Sequence, residues 1–395
     1  MNIRALAYLA SVSVGNQPFE VVVDTGSSDL WILSTNCTTP DCTGMSKYTD
    51  SPSLTLRQNS FSLKYLQGSV SGTLGFETVA LGPYAITDQA LAFSNETVGL
   101  GLHEIGNSGI LGLAFPAASS ISSTVGSTLL ENMFAYLDDA HRFFALSLGG
   151  HGTEPSFSFG QLDPALANST DDFSFSPVYI GPNSMPDYWK LPLQAITING
   201  TIIFDRFAPS RIPDSPTPVA VLDSGTTFIL GPSGDVSAFW RGVGGSRKNG
   251  SGNWEVRCTR AVVVGFVLGS GGSKREFLVD PSDISWRPST EDGWCTGGIQ
   301  ANDDVNSGDW ILGGTFLRNV YAIHHSGAHD TPPSIGLLNM TDEKAALVRF
   351  QQERGVDPAP PIPANTRMSS PRTSDTPLEP IVACLIVILS DTEIW

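Results

Sequence analysis

One eight-residue pattern occurs twice in this chain, and no other feature limits its fold so strongly. The first copy is Val21-Val22-Val23-Asp24-Thr25-Gly26-Ser27-Ser28, and the second is Ala220-Val221-Leu222-Asp223-Ser224-Gly225-Thr226-Thr227. Each is an apolar run of strand type, because Val and Leu suit a pleated, half-buried surface. Each run ends in one carboxylate and then turns through a hydroxyl residue, a glycine and another hydroxyl residue. Glycine permits the tight turn, since it reaches positive φ without steric cost. The pattern therefore aims a carboxylate out of a buried strand into a ring of small hydroxyl donors.

A buried, unpaired carboxylate is costly and shifts its pKa or finds partners. Two copies suggest that each is the other's partner. Two carboxylates held together cannot both ionise easily, so they share one proton and become an acid beside a base. A second repeat supports the pairing. Gly109-Ile110-Leu111-Gly112-Leu113 follows the first motif and Trp310-Ile311-Leu312-Gly313-Gly314 the second. Asp24 and Ile110 are 86 positions apart, and Asp223 and Ile311 are 88 apart. Matched landmarks at one spacing indicate an internal duplication, with a period far too long for a solenoid.

With these residues in view, the chain resembles the pepsin-type aspartic proteases, the A1 endopeptidases, of the fungal secreted or cell-surface kind. The resemblance rests on Asp24-Thr25-Gly26-Ser27-Ser28-Asp29-Leu30-Trp31, on Asp223-Ser224-Gly225-Thr226-Thr227 and on both Ile-Leu-Gly segments. It runs from about Tyr8 to about Leu338. It implies a mostly β, bilobal fold with a few short helices. The expected division is 1–170 for the first lobe, 171–342 for the second and 343–395 for a tail.

The resemblance also implies roles. Asp24 and Asp223 are the expected catalytic pair, activating one water to cut extended peptides in acid without a covalent intermediate. Ser27 and Thr226 would bond the outer carboxylate oxygens, with Gly26 and Gly225 in the turns. Thr25 and Ser224 would cross-brace the two turns. Tyr65-Leu66-Gln67-Gly68-Ser69 matches the flap that closes over substrate, with Trp31 behind Tyr65. Leu66 and Gln67 depart from the usual flap sequence, and Gln67 resembles the membrane-anchored secretase branch. Val22, Tyr65 and Ile110 are apolar candidates for the cleft, with Gln67, Gly68 and Thr227 beside them. Gly314 stands where strongly acid members have Asp. Disulfides Cys37–Cys42 and Cys258–Cys295 are implied in the same way, leaving Cys384 over. No metal or other cofactor is expected. A second reading is a pepsin-like peptide-binding protein of weak turnover.

Composition narrows the partners. A formal charge of −17 argues against nucleic acid, which requires a basic face. The same charge fits either a solubility device or an acidic working medium. Paired cysteines could also bind metal, but no second Cys-x-x-Cys or His cluster completes a site. Sequons at Asn36, Asn95, Asn168, Asn199, Asn249 and Asn339, with the implied disulfides, favour a secretory route. The expected setting is secreted, vacuolar or cell-surface, and the expected state a monomer acting on peptide or protein.

Local patterns fill in the rest. Ser60 to Leu81 alternates like a hairpin, and Ser127 to Asp139 carries a helical apolar stripe. Gly242 to Gly252 reads as a surface loop, and Glu276 to Trp286 as strand. His324 and His325, adjacent on a strand, point to opposite faces and make poor joint metal ligands. Lys344 to Arg354 suits a short helix. Gly355 to Pro380 is rich in Pro, Ser and Thr and reads as a disordered stalk. Ile381 to Leu389 is apolar but short of the ~20 residues that span a bilayer. The tail is a candidate for cell-wall or membrane attachment. Met1 to Leu6 does not read as a signal peptide.

Overall fold

The computed structural model describes residues 2–3, 7–122, 124–150, 152–182, 184–286, 293–328, 331–357 and 368–369. Of the expected stalk, 355–357 and 368–369 are described, and these differ from the disordered reading. Asp357 pairs with Arg260 at 2.8 Å, and Met368–Ser369 adds to Thr201–Arg206 as a short parallel strand. The apolar stretch Ile381 to Leu389 and Cys384 lie outside the described residues.

The protein is mostly β, in two lobes joined by a shared sheet. The first lobe is an eight-stranded sheet in the order Asn2–Ile3, Ala7–Val14, Gln17–Asp24, Gly109–Gly112, Leu30–Leu33, Tyr84–Val98, Ser69–Leu81, Thr55–Lys64. Ala7–Val14 also pairs with Ser69–Leu81, which curls the sheet on itself. The second lobe runs Arg275–Val279, Val264–Leu268, Lys190–Ile198, Val219–Leu222, Trp310–Leu312, Ile229–Gly231, Ile299–Ala301. Between them lies a five-stranded sheet, Ser156–Phe159, Phe143–Ser147, Val320–His325, Ser334–Asn339, Ser174–Pro177. Its strands come from both halves of the sequence, so each half completes the other's floor. One apolar core passes through it, from Tyr8 and Val12 by way of Phe144 and Trp189 to Trp310 and Phe316.

Three other segments differ from the sequence reading, each for a local reason. The helix within 127–139 covers only Leu129–Phe134, opened by a capping box between Thr128 and Glu131. A separate turn, Asp139–His141, follows it, with Asp138 as its cap accepting from the amides of Ala140 and His141. The 242–252 segment is not all loop. Asn249 Oδ1 accepts from the amides of Ser251 and Asn253 and reverses the chain. Ser246–Lys248 then pairs with Trp254–Arg257 as a hairpin. The 276–286 strand breaks at Pro281, where Asp280 caps the short helix Pro281–Ile284. The C-terminal helix forms as Glu343–Arg354, with Asp342 as its cap. It buries Ala346 and Phe350, and Arg349 binds Asp280 of the second lobe.

His324 sits at the junction of the lobes. It is fully buried, stacked 4.4 Å from Phe144 and edge-on 5.0 Å from Trp189. Neither ring nitrogen has a hydrogen-bond partner among the described residues. Burial holds its pKa down at about 3, against 6.5 for an exposed imidazole. Between those values the unfolded chain binds a proton that the folded chain does not, so stability falls as pH drops through that window. His324→Phe keeps the aromatic stack and removes the proton linkage. It is expected to raise the free energy of unfolding progressively more as pH falls from 7 to 4, by on the order of 3 kcal/mol at pH 4. A gain in thermal unfolding that does not change with pH would contradict this.

Candidate active site

Both carboxylate turns have the same three-strand frame. Gln17–Asp24 leads into the first turn and Leu30–Leu33 leads out. Gly109–Gly112 is inserted between them, parallel to the first, with Ile110 opposite Val22, and antiparallel to the second, with Ile110 opposite Trp31. In the second lobe Trp310–Leu312 lies parallel to Val219–Leu222 and antiparallel to Ile229–Gly231, with Ile311 opposite Val221 and Leu230. This frame accounts for the repeated spacing, because each Ile-Leu-Gly strand is the central member of its turn. Its glycine has to be there. A Cβ on Gly112 would lie 2.4 Å from the Asp29 amide nitrogen, and one on Gly313 would lie 2.3 Å from the Thr226 and Phe228 carbonyl oxygens. Amides just past these glycines hold the turns, Leu113 N donating to Asp24 O at 2.8 Å and Gly314 N to Thr226 O at 2.7 Å.

The carboxylates themselves have matched partners. Asp24 Oδ1 accepts from Gly26 N at 2.8 Å, and its Oδ2 accepts from the Ser27 hydroxyl. Asp223 Oδ1 accepts from Gly225 N at 2.9 Å, and its Oδ2 from Thr226 Oγ1 at 2.6 Å. Both aspartates are completely buried. The charge of Asp24 acts on Asp223, and a proton on one of the two relieves that repulsion. Burial and then the charge of Asp24 push the Asp223 carboxyl well above the usual carboxylate range, against the lowering effect of Thr226 and Gly225.

Four hydrogen bonds tie the turns together across nearly two hundred residues of sequence. Thr25 N donates to Ser224 Oγ at 3.0 Å, and Thr25 Oγ1 to Leu222 O at 2.9 Å. Ser224 N donates to Thr25 Oγ1 at 2.9 Å, and Ser224 Oγ to Val23 O at 2.7 Å. The network is its own two-fold image. It fixes the separation of the carboxylates without touching either.

The first-lobe wall is apolar. Val22, Trp31, Tyr65 and Ile110 share one buried cluster. Trp31 Nε1 donates to Tyr65 Oη at 2.7 Å. Tyr65 begins the hairpin turn, its amide donating to Gly68 O at 3.0 Å, and Gly68 takes φ +79°. Gln67 is half-buried at the tip. Thr227 is buried, and its carbonyl accepts from Thr315 N at 2.9 Å, so it anchors the frame. The disulfides Cys37–Cys42 and Cys258–Cys295 close one loop in each lobe.

Two further residues belong to this site, although their sequence context gave them no role. Asp29 is buried and accepts from the Ser119 hydroxyl and from the amides of Ser120 and Ile121. Burial pushes its pKa up, against those bonds. It fastens the 115–121 segment beneath the first turn. Tyr188 lies within electrostatic reach of both Asp24 and Asp223, which, after burial and Asp187, raise its pKa. Its neighbour Trp189 donates Nε1 to Leu113 O at 2.8 Å, which ties this segment to the first lobe.

Comparison with known proteins agrees with this geometry. A sequence model of the family described as eukaryotic aspartyl protease matches residues 7–331, which span both carboxylate turns. Chymosin of Camelus dromedarius is 29% identical over 324 residues, 80% of this chain and 77% of its own length. Chymosin of Callithrix jacchus is 28% identical over 328 residues, covering 80% and 77%. Pepsin A of Suncus murinus is 28% identical over 334 residues, covering 83% and 80%.

The cross-brace makes a quantitative prediction. Thr25→Val or Ser224→Ala alone strands buried partners on the other turn and should cost about 2 kcal/mol of stability. The double variant should cost little more than either single, because the two side chains serve one network. Denaturant midpoints of the four proteins measure this, and additive losses would contradict a shared brace.

Proposed function

The chain belongs to the eukaryotic aspartyl protease family, and from that membership we propose that it is an aspartic endopeptidase acting on extended polypeptides in acid. The observation that carries the reading is a pair of wholly buried carboxylates, each held by its own matched turn and the two turns cross-braced to one another. Family homology supports peptide hydrolysis, and the pair supplies its chemistry.

In this mechanism one water lies between Asp24 and Asp223. The ionised carboxylate takes a proton from it as general base. The water oxygen attacks the scissile carbonyl carbon while the protonated carboxyl gives its proton to the carbonyl oxygen. The tetrahedral diol then collapses, the C–N bond breaks and the amine leaves with a proton from the pair. The two residues titrate as a unit, so neither is assigned base or acid alone. Ser27, Thr226, Gly26 and Gly225 orient the carboxylates. Thr25 and Ser224 set their spacing. Trp31 holds Tyr65 over the cleft, and Val22 and Ile110 give it an apolar floor. Gln67 and Gly68 shape its rim, and Thr227 anchors the frame behind it.

The lobes are taken as 1–170 and 171–342, with the substrate lying between them under the 65–68 turn. The protein is proposed to act as a secreted monomer, with the tail beyond the packed helix Glu343–Arg354 serving attachment to a wall or membrane. Both disulfides suit an oxidising compartment. Of the six sequon asparagines, Asn36, Asn95, Asn168, Asn199 and Asn339 are exposed and open to glycosylation.

Cleavage of an unstructured protein, followed across pH, tests the proposal. The rate should be bell-shaped and lie on the acid side, because it needs one proton on the pair. It should fall as pH rises through the elevated pKa of the pair and the shared proton is lost. Asp24→Asn should lower kcat/KM at least about a thousandfold. Equal cleavage by parent and variant would reject the mechanism, and tight peptide binding without turnover would reject the enzyme.

A further inference from the structure

The tip of the hairpin touches both lobes. Tyr65 belongs to the first-lobe cluster with Val22, Trp31 and Ile110. The duplication gives that cluster a counterpart, in which Ile311 packs with Phe228, Leu230 and Val305 of the second lobe. Two half-buried side chains close over this second wall, Trp286 and Leu66. Trp286 meets Phe228 edge-on at 5.5 Å. Leu66 comes from the other lobe. Neighbours in sequence, Tyr65 and Leu66 thus join opposite sides of the cleft.

The turn explains the reach. Tyr65 is fixed by Trp31, and its amide closes the turn onto Gly68. A Cβ on Gly68 would lie 2.4 Å from Val98 O, so the hairpin sits tight on its neighbouring strand. Leu66 and Gln67 are left at the apex, and an apolar side chain there has one dry surface to meet, the second-lobe wall.

We propose that Leu66 is a latch and a specificity-determining residue: its side chain bridges the cleft and fills apolar space on the second lobe that a peptide side chain would otherwise enter. Opening the hairpin to admit substrate breaks this contact. The peptide position facing the Phe228, Leu230, Val305 and Ile311 wall is then restricted to small side chains. The specificity half rests on the endopeptidase reading, whereas the latch half does not.

The test separates the two. Amide hydrogen exchange over residues 63–69 of the ligand-free protein should be about tenfold faster in Leu66→Ala than in the parent. Leu56→Ala, at an exposed position on the same hairpin, should leave it unchanged. Trp286→Ala should speed the same amides, and the Leu66→Ala/Trp286→Ala pair should exceed neither single change. Unchanged exchange in Leu66→Ala, or fully additive effects, would overturn the latch. In a peptide library, Leu66→Ala should raise kcat/KM about tenfold for bulky apolar residues at one substrate position only. An unaltered profile with active enzyme would overturn the specificity role. A parent with no turnover would instead count against the endopeptidase reading, with exchange still deciding the latch.

Discussion

The structure depends on the reciprocal bonding of Thr25 and Ser224. Two carboxylates buried side by side repel one another when ionised and are poorly solvated. Nothing in either lobe alone would hold them together. The cross-brace does so, because each hydroxyl donates to a carbonyl of the opposite lobe and accepts from the opposite residue's amide. All four bonds lie in the buried interior, where an unmade bond is most costly. Separating the turns would therefore break several buried bonds at once, and the lobes are held in register at the place where charge is most confined.

The two halves then divide the work by symmetry. Each inserts an Ile-Leu-Gly strand between the strands flanking its aspartate, and each needs glycine where that strand meets the turn. The five-stranded sheet beneath takes strands from both halves and carries His324 within it. Proton linkage at the two places runs in opposite directions. His324 stays neutral only while folded, so it costs stability in acid. The Asp24–Asp223 pair keeps a proton in the folded state above the pH at which unfolded carboxylates would lose it, so its contribution declines as pH rises through that interval.

Much of the frame was legible because it rests on short-range chemistry written twice. A strand ending in Asp, a turn of small residues and an Ile-Leu-Gly companion at matched distance were enough to call for two β lobes. The stretch from Lys344 to Arg354 read as a short helix and forms one, starting one residue earlier with Asp342 as its cap. What could not be read were contacts between residues distant in sequence. Asp29 acquires its place only when 119–121 folds against it, some ninety residues on, and Tyr188 only when its segment meets both turns. Leu66 looked merely unusual until the second-lobe wall came into view. The 246–257 hairpin and the break at Pro281 were missed because one Asn turn and one Asp cap outweighed the bulk composition of their segments.

The central claim is that Asp24 and Asp223 hold one proton in common. Carboxyl-carbon NMR titration of the ligand-free protein, assigned with Asp24→Asn and Asp223→Asn, measures it directly. The account predicts two steps for the pair, one of them well above the range of an ordinary aspartate and absent from either variant. Two independent titrations near the ordinary value, unchanged when the partner is replaced, would contradict it.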